Sequence, residues 1–362
     1  MPALIQPTRF LIFLFLLFGG LYFARPVLVP LTISGLLATL LLPLSNRLER
    51  KGVNRALAAS LCLFGLVLLV GVVLAVLTWQ SANLSRDLAG IGQRVTELID
   101  QTRQFISSRF GIAPEQQKAF MQKQSSGTGQ LTLAVTSIMN SFLDVAVDAV
   151  LTVVYTFLLL YFRKHLKNFI LRLVSQADQN KTHRIISQSS QVAQQYLTGM
   201  AMMIGMLWVL YGIGFSIVGV KQAIFLAILC GLLEMIPFIG NLSGSLLTIL
   251  LSVAQGGDSR MVLGIVLVYG IVQFTQTYLI EPLVVGNEVN INPLFTILVI
   301  VIGETVWGIP GMILALPVLG IVKVICDHVE SLKPYGFLIG QDKKENSGGF
   351  IDKVKNLFPK RS

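Results

Sequence analysis

The sequence predicts an all-α, polytopic integral membrane protein with about seven to eight membrane segments, including broken or re-entrant helices, and a small extramembrane helical hairpin. Three observations indicate this fold class. Hydrophobic residues make up 54% of the 362 residues and charged residues only 13%, unlike a soluble domain. The apolar residues lie in long runs, and residues 57–79 contain no charge at all. The basic residues behind the formal charge of +10 cluster beside these runs, as in cytoplasmic membrane loops.

The first two apolar runs, residues 10–24 and 27–44, are predicted to form a membrane hairpin. No small-residue cleavage pattern follows the first run, which argues against a signal peptide. The basic stretch 46–55 follows, and the positive-inside rule places it in the cytoplasm together with the N-terminus. Its basic side chains are Arg47, Arg50, Lys51 and Arg55. The run 56–79 then crosses to the outside.

The next segment, residues 83–140, has nearly balanced acids and bases, which suits the outer side of the membrane. Apolar residues at intervals of three and four predict a packed amphipathic helix here, and residues 122–130 predict a flexible loop. The run 142–162 ends in the basic cluster 163–167, which marks a return to the cytoplasm. Residues 168–197 are predicted to form amphipathic helices along the cytoplasmic membrane face.

The C-terminal half contains two interrupted apolar elements. Residues 223–236 and 238–254 follow the span 200–220 and are separated by Pro237 and Gly240. After the span 261–280, the second interrupted element comprises 294–302 and 309–325, broken around Gly303, Gly308, Pro310 and Gly311. Broken membrane helices expose backbone groups that only protein or a water-filled cavity can satisfy, so a pair of them indicates a transporter's central site. The structural alternative is that proline and glycine merely kink packed helices.

These elements divide the chain into six regions. They are 1–82 (N-terminal membrane segments, the hairpin plus the third span), 83–140 (extracytoplasmic helical insert), 141–163 (membrane span), 164–198 (cytoplasmic amphipathic helices), 199–328 (C-terminal transport core) and 329–362 (cytoplasmic basic tail). The apolar and basic residues of the tail are predicted to rest on anionic lipid. Both termini are therefore expected in the cytoplasm.

Ionisable residues within apolar runs are costly, so each is a candidate functional residue. Glu234 precedes the Pro237 break, Glu281 ends a span, and Glu304 falls in the second break, between Gly303 and Gly311. Glu234 can contact substrate or cation, or accept hydrogen bonds from freed backbone amides. For Glu281, capping of the helix end at the membrane interface is an equal alternative to a functional role. Gln273, Gln276 and Thr277, one to two turns earlier, are candidates to line a polar pathway. Asp144 and Asp148 share one helix face near the outer end of a span, where the structural interpretation is preferred.

Other kinds of chemistry are not indicated. The sequence has no Gly-x-x-x-x-Gly-Lys-[Ser/Thr] loop, no Gly-x-Ser-x-Gly elbow and no metal-ligand spacing, so no catalysis, cofactor or metal is expected. An intramembrane aspartyl protease would need aspartates on facing helices, whereas Asp144 and Asp148 share one. The cysteines Cys62, Cys230 and Cys326 lie in apolar runs and are given no role. Aromatic and basic residues do not interleave, which argues against nucleic acid.

Several motifs resemble those of a known family. Glu234-Met235-Ile236-Pro237-Phe238-Ile239-Gly240 is similar to the first signature of the AI-2E family of bacterial transporters, also called the autoinducer-2 exporter family. The family's C-terminal pattern is similar to Glu281-Pro282, Asn292-Pro293, Gly308-Ile309-Pro310-Gly311 and Ala315-Leu316-Pro317, in that order. Asn241 stands where many members have a second proline, which bears on the rigidity of that turn.

The resemblance spans essentially the whole chain and implies membrane transport in a bacterial inner membrane. In the family that it resembles, some members are linked to export of the signal autoinducer-2 and others to exchange of sodium or lithium for protons. It also implies a homo-oligomer, by resemblance a pentamer. The small-residue spacing Gly240-x-x-x-Gly244 is compatible with close helix contacts.

Three functional hypotheses follow. The leading one is a gradient-driven exporter of a small polar solute, and the second is a Na⁺(Li⁺)/H⁺ antiporter. The third is a non-transporting membrane scaffold. For transport, the predicted substrate- or ion-binding residues are Glu234, Pro237, Gly240, Gln273, Gln276, Glu281, Gly308, Pro310 and Gly311.

Overall fold

The computed structural model describes residues 2–88, 127–237, 239–284 and 291–341. Most of the predicted outer insert, the first part of the predicted loop 122–130 and the basic tail from residue 342 therefore lie outside the described residues. In chain order the helices are α1 (Pro2–Phe23), α2 (Arg25–Arg50), α3 (Arg55–Leu88), α4 (Gly127–Arg172), α5 (Gln179–Val218), α6 (Ala223–Leu233), α7 (Ile239–Ala254), α8 (Ser259–Thr275), α9 (Glu281–Val284), α10 (Pro293–Trp307), α11 (Ile309–His328) and α12 (Lys333–Ile339).

The predicted all-α polytopic membrane fold is confirmed. Six helical segments are long and apolar enough to cross a membrane, and they correspond to α2, α3, the second half of α4, α5, α8 with the turn after it, and α11. The only β-type pairing in the described ranges is one isolated bridge between Ile291 and Gly340. Large apolar side chains such as Phe64 and Ile271 lie exposed on the helix surfaces, which suits a lipid environment.

The junction between α1 and α2 is a bend. Only Ala24 separates the two helices, with φ −82° and ψ 2°, and helical bonds cross it from Ala24 N to Gly20 O and from Leu28 N to Ala24 O. Pro26 lacks an N–H and so removes one bond from this turn of helix. The predicted reversal of the chain between these two segments is not observed, because a proline bends a helix without turning it back.

The predicted surface helices of residues 168–197 are extensions of membrane helices. α4 continues to Arg172, a short 3₁₀ turn follows at Gln176–Asp178, and α5 runs without a break from Gln179 to Val218. At 40 residues, α5 is about 60 Å long, roughly twice the hydrocarbon thickness. The predicted loop also differs, since its last four residues begin α4.

Two packed groups of helices frame the molecule. α2, α3 and α4 share a small core that includes Ala59, Cys62 and Leu160. α5, α6 and α8 share a larger one around the fully buried Tyr211 and Phe215. At one end Arg163 of α4 pairs with Glu49 of α2 at 2.7 Å, beside the cluster Arg47, Arg50 and Lys51. This end is called the basic end below.

Candidate functional site

The first break separates α6 from α7 at the residues the sequence indicated. α6 ends at Leu233, residues 234–237 form a turn, and α7 begins at Ile239. Gly240 is required here, because a Cβ at this position would overlap the carbonyl of Leu233. The end of α6 and the start of α7 therefore lie in backbone contact, and a larger residue would force them apart.

α6 and α7 form a re-entrant hairpin. Lys221, before α6, donates to the carbonyl of Gln255, after α7, at 3.1 Å, so both ends lie at the same end of the molecule. α6 has 11 residues and is about 16 Å long, roughly half of a hydrocarbon core. Since α5 runs from the basic end to the residues before Lys221, the hairpin enters from the opposite end. Its tip, residues 234–237, lies at mid-depth.

Glu234 lies at this tip and meets α8. Gln276 Nε2 donates to Glu234 Oε1 at 3.1 Å. Gln276 is only 7% exposed, and its Oε1 has no hydrogen-bond partner among the described residues. It begins a π-helical turn, Gln276–Ile280, which directs it towards the hairpin tip. Single π turns within α-helices often lie at functional sites because they redirect one side chain.

A second polar contact lies one turn from the first. Asn241, at the start of α7, donates to Gln273 Oε1, and Gln273 Nε2 donates to Thr277 Oγ1 at 3.4 Å. α8 and the π turn that follows it thus present Gln273 and Gln276 to the two halves of the interrupted element. A row of amides and one carboxylate joins the hairpin tip to α8 inside an otherwise apolar region.

Behind the tip lies a buried cluster formed by Cys230, Thr248 and Tyr269. The Cys230 sulfur is 2.8 Å from the Tyr269 hydroxyl and 3.3 Å from Thr248 Oγ1, which in turn donates to the Gly244 carbonyl at 2.8 Å. Gly244 leaves space for the Tyr269 hydroxyl, 3.1 Å from where its Cβ would stand. The Gly240-x-x-x-Gly244 spacing therefore serves helix contacts within the chain. The ring of Tyr211 packs against Tyr269 at 4.9 Å between centroids.

The second break is a single residue. Gly308 adopts φ 67° and ψ −144° between α10 and α11, a conformation that favours glycine. Pro310 lies in the first turn of α11, where its missing N–H has no intrahelical partner to lose. Gly303 and Gly311 lie within the two helices and face each other, since a Cβ on either would overlap the other's carbonyl. This break is narrower than the sequence predicted.

α10 and α11 also form a hairpin. Asn292 N, before α10, donates to Ile339 O, after α11, at 2.8 Å, so both ends of this hairpin lie together. At its turn, Trp307 Nε1 donates to the Leu21 carbonyl of α1 at 3.0 Å. The two interrupted elements touch through Ile236 of the first break, which packs against Ile300, Met312 and Ala315.

The chain is similar to known proteins over most of its length. A family profile described as AI-2E family transporter matches residues 11–331. The chain belongs to this family. "Putative transport protein YrrI" of Bacillus subtilis is similar, 25% identical over 311 residues that cover 84% of this chain and 87% of that protein. "Putative permease PerM" of Escherichia coli K12 is 24% identical over 315 residues, 85% and 89% of the two chains. The AI-2E chain is therefore a membrane transport protein.

The structure of this AI-2E protein brings together some of the predicted site residues. Glu234, Pro237, Gly240, Gln273 and Gln276 surround the tip of the first hairpin. Glu281 is exposed just after the π turn, within electrostatic range of Glu234 and of Tyr196 on α5. Gly308, Pro310 and Gly311 belong to the second hairpin, and among the described residues no hydrogen bond joins them to Glu234.

Other polar residues of the AI-2E chain were not indicated by the sequence. The sequence indicated only an effect of Asn241 on the rigidity of the turn, yet its side-chain amide donates a hydrogen bond to Gln273 Oε1. Cys230 lies one helical turn before Glu234, and Thr248 lies one helical turn after Gly244. Their helical spacing from these residues at the break is a sequence signal that could have identified both. Glu304, which the sequence did single out, is exposed on α10. Asp144 and Asp148 lie in α4, but their side chains lie outside what the structure describes.

Proposed function

We propose that this protein is a secondary, gradient-driven transporter that exports a small polar solute, with an autoinducer-2-like signal as one candidate. The contact between Glu234 and Gln276 at the tip of the re-entrant hairpin carries this proposal. A carboxylate and an amide from two different elements meet there at mid-depth of an apolar molecule. Ionisable groups at membrane depth are costly and typically mark a substrate or ion path.

The chemistry of this pair suits a solute with hydroxyl or amine groups. The Gln276 amide donates to Glu234 and retains an acceptor oxygen without a partner in the described structure. Glu234 has no ion-pair partner within the described ranges, so its carboxylate can accept hydrogen bonds from a bound molecule. Asn241, Gln273 and Thr277 extend this polar surface along α8.

The two hairpins support a site that opens alternately to the two sides. Residues 234–237 and Gly308 interrupt helices, and each hairpin has both of its ends at one end of the molecule. Each can therefore move as a unit about its own loops while the long helices stay in place. We assign Pro237 and Gly240 to shaping the first tip, and Gly308, Pro310 and Gly311 to the second hairpin, which contacts the first through Ile236.

The energy source is inferred from the sequence. It has no Gly-x-x-x-x-Gly-Lys-[Ser/Thr] loop, so we propose that an ion gradient or the membrane potential drives transport. Glu281, exposed directly after the π turn and within electrostatic range of Glu234, is the second carboxylate along this path.

A Na⁺(Li⁺)/H⁺ antiporter is the second candidate. The observation that favours it is that Glu234 meets a neutral donor and, in the described structure, no cationic side chain. A buried carboxylate in such surroundings can bind either a proton or a monovalent cation. Addition of sodium to proteoliposomes would then drive proton movement that a pH-sensitive dye detects, whereas solute export predicts no such signal.

We also propose a location and assembly. The positive-inside rule places the basic end in the cytoplasm of a bacterial inner-membrane protein, and hence the loops at Lys221 and Gln255 outside. Because the chain bends rather than reverses at Pro26, the basic end does not fix the side of the N-terminus. The family resemblance supports a homo-oligomer, with a pentamer as the expected form.

The test of the site is the replacement of Glu234 at matched protein levels. Glu234→Gln keeps the shape and much of the hydrogen bonding but removes the charge, so transport should fall at least tenfold across a pH series (an order-of-magnitude expectation). Expression and oligomer size should not change. The matched control is Glu330→Gln, which makes the same chemical change at an exposed position in the short turn after α11.

Two results would contradict a role of Glu234 in transport. Full activity of Glu234→Gln throughout the pH series would remove it from the mechanism and shift the assignment to Glu281. A mild effect of Glu234→Gln with a large loss in Glu234→Leu would mean that Glu234 only holds polar groups of the tip. The assay is efflux or uptake by the purified protein in proteoliposomes, with a panel of radiolabelled solutes and cations.

A further inference from the structure

A groove of about 520 Å³ opens at the basic end, apart from the polar site at the hairpin tip. It lies between the last turns of α2, the end of the α4 span and the first half of α5. Its lining residues are Leu42, Asn46, Arg163, Lys164, Lys167, His183, Ile186, Ser187, Ser190, Gln191 and Gln194. Three cations line this groove, and no carboxylate does.

The charges of the groove are only partly balanced. Arg163 is held by Glu49 at 2.7 Å and by Asn46 Oδ1 at 2.8 Å, so Glu49 offsets one of the three cations. Lys167 Nζ lies 2.8 Å from His183 Nε2, and a histidine ring carries no negative charge that could offset the ammonium. Lys164 is exposed and has no ion pair within the described ranges. The groove therefore has an excess of positive charge facing several neutral donors.

The groove also has an apolar side. Leu42 of α2 and Ile186 of α5 line it, and Leu42 belongs to the apolar run of α2. The apolar run of α2 ends here and the basic residues begin, which is where lipid headgroups lie beside a membrane helix. A ligand that fills the groove would combine a negative charge, hydrogen-bond acceptors and an apolar tail. A free phosphate ion would match only the first two.

We infer that this groove binds the headgroup of an anionic glycerophospholipid, with the phosphate at Lys164 and Lys167 and the acyl chains past Leu42 and Ile186 along the apolar run of α2. Ser187, Ser190 and Gln191 offer hydroxyl and amide donors to the remaining headgroup oxygens. The inference is independent of the transported solute, because the groove shares no residue with the hairpin tip.

The test measures lipid retention by native mass spectrometry of the purified, delipidated full chain. Phosphatidylglycerol and phosphatidylethanolamine are added at equal concentrations, and the wild type should retain phosphatidylglycerol selectively. Lys164→Gln/Lys167→Gln should weaken that binding about tenfold, since each basic residue near a lipid phosphate contributes several-fold. The matched control is Lys181→Gln/Arg184→Gln, which removes two charges from exposed positions of α5 outside the groove and should bind like the wild type.

Folding and the source of the phosphate are tested in parallel. The double variant should elute from a size-exclusion column at the same volume as the wild type. If it does not, the single variant Lys164→Gln replaces it in the lipid-binding measurement, with an expected loss of affinity of about threefold. Equal phosphatidylglycerol binding by the groove variant and the wild type, or equal losses in the groove and control variants, would overturn the proposal. Retention of inorganic phosphate at millimolar concentration with displacement of the lipid would overturn the lipid as ligand.

Discussion

Single residues decide how closely the polar site is held together. Gln276 supplies the hydrogen bond that Glu234 receives, and Gln273 supplies the acceptor for Asn241. Each pair joins the interrupted element to α8, so the site depends on two interhelical contacts between side chains. Such contacts in the membrane typically contribute about 0.6 kcal/mol each, which positions a site without fixing it rigidly.

The sequence predicted this part of the site through the cost of an intramembrane carboxylate and the position of Pro237. It identified Glu234, Gln273 and Gln276 as candidates. It did not predict the role of Asn241 or the cluster of Cys230, Thr248 and Tyr269. These uncharged residues are tolerated in any apolar run, so their type alone does not distinguish lipid-facing from mutually bonded side chains.

At the residue scale we predict that Gly240→Ala destabilises the protein. The new Cβ would overlap the Leu233 carbonyl, which is backbone and cannot rotate away. The end of α6 would have to move from α7, and we expect a lower Tm, corresponding to about 1–3 kcal/mol, together with reduced transport. Thermal unfolding in detergent measures the effect.

Gly205→Ala on α5 is the matched control for this substitution. No atom lies within 4 Å of where its Cβ would stand, so alanine should be neutral or should stabilise the helix slightly. A Tm for Gly240→Ala equal to that of Gly205→Ala would contradict the close approach of the two helix ends.

At the scale of elements, breaks were easier to predict than bends. Proline and glycine in apolar runs placed both interruptions, because these residues remove donors or allow unusual backbone geometry. The bend at Pro26 was predicted as a full reversal, since the same Arg25-Pro26 pair is compatible with either. The π turn at Gln276–Ile280 had no sequence signal, because its residues are ordinary for a membrane helix.

The second hairpin gives a prediction at this scale. Gly303 and Gly311 form the crossing point of α10 and α11, where neither helix has room for a side chain. Gly311→Leu should separate the two helices and abolish transport while some protein still inserts into the membrane. Gly270→Leu is the control, because nothing lies within 4 Å of its Cβ position on α8.

Transport by Gly311→Leu at the level of the wild type would mean that close packing of the second hairpin is dispensable. The measurement is transport in proteoliposomes, with the amount of inserted protein determined by blotting after carbonate extraction.

At the scale of the whole molecule, charge distribution and hydropathy predicted the class of fold and the long membrane helices. They did not predict that α4 and α5 extend through the region 168–197, because amphipathic sequences are typical both of surface helices and of the ends of long ones. The contact of Lys221 with Gln255, which identifies the re-entrant hairpin, joins residues 34 positions apart and is not encoded in local periodicity.

The proposed orientation gives a prediction for the whole molecule. A cysteine at position 126 (Ser126→Cys) should react with an impermeant maleimide in intact spheroplasts, because the segment 83–140 is assigned to the outside. Ser187→Cys at the basic end should react only after lysis. Cys62, Cys230 and Cys326 are buried, so the background should be low. Labelling of Ser126→Cys only after lysis would reverse the topology.

The re-entrant hairpin also constrains how the chain is made. Because both ends of α6–α7 lie on one side, its insertion transfers no loop across the bilayer, and it cannot be anchored as an ordinary span is. α5 precedes it during synthesis, but Gln273 and Gln276 arrive only with α8, so the nascent hairpin briefly holds Glu234 and Asn241 without their partners. A chain that stops at Gly257 should therefore be degraded faster in a pulse-chase experiment than one that continues to Leu283. Biogenesis of this hairpin is thus coupled to the helix that follows it.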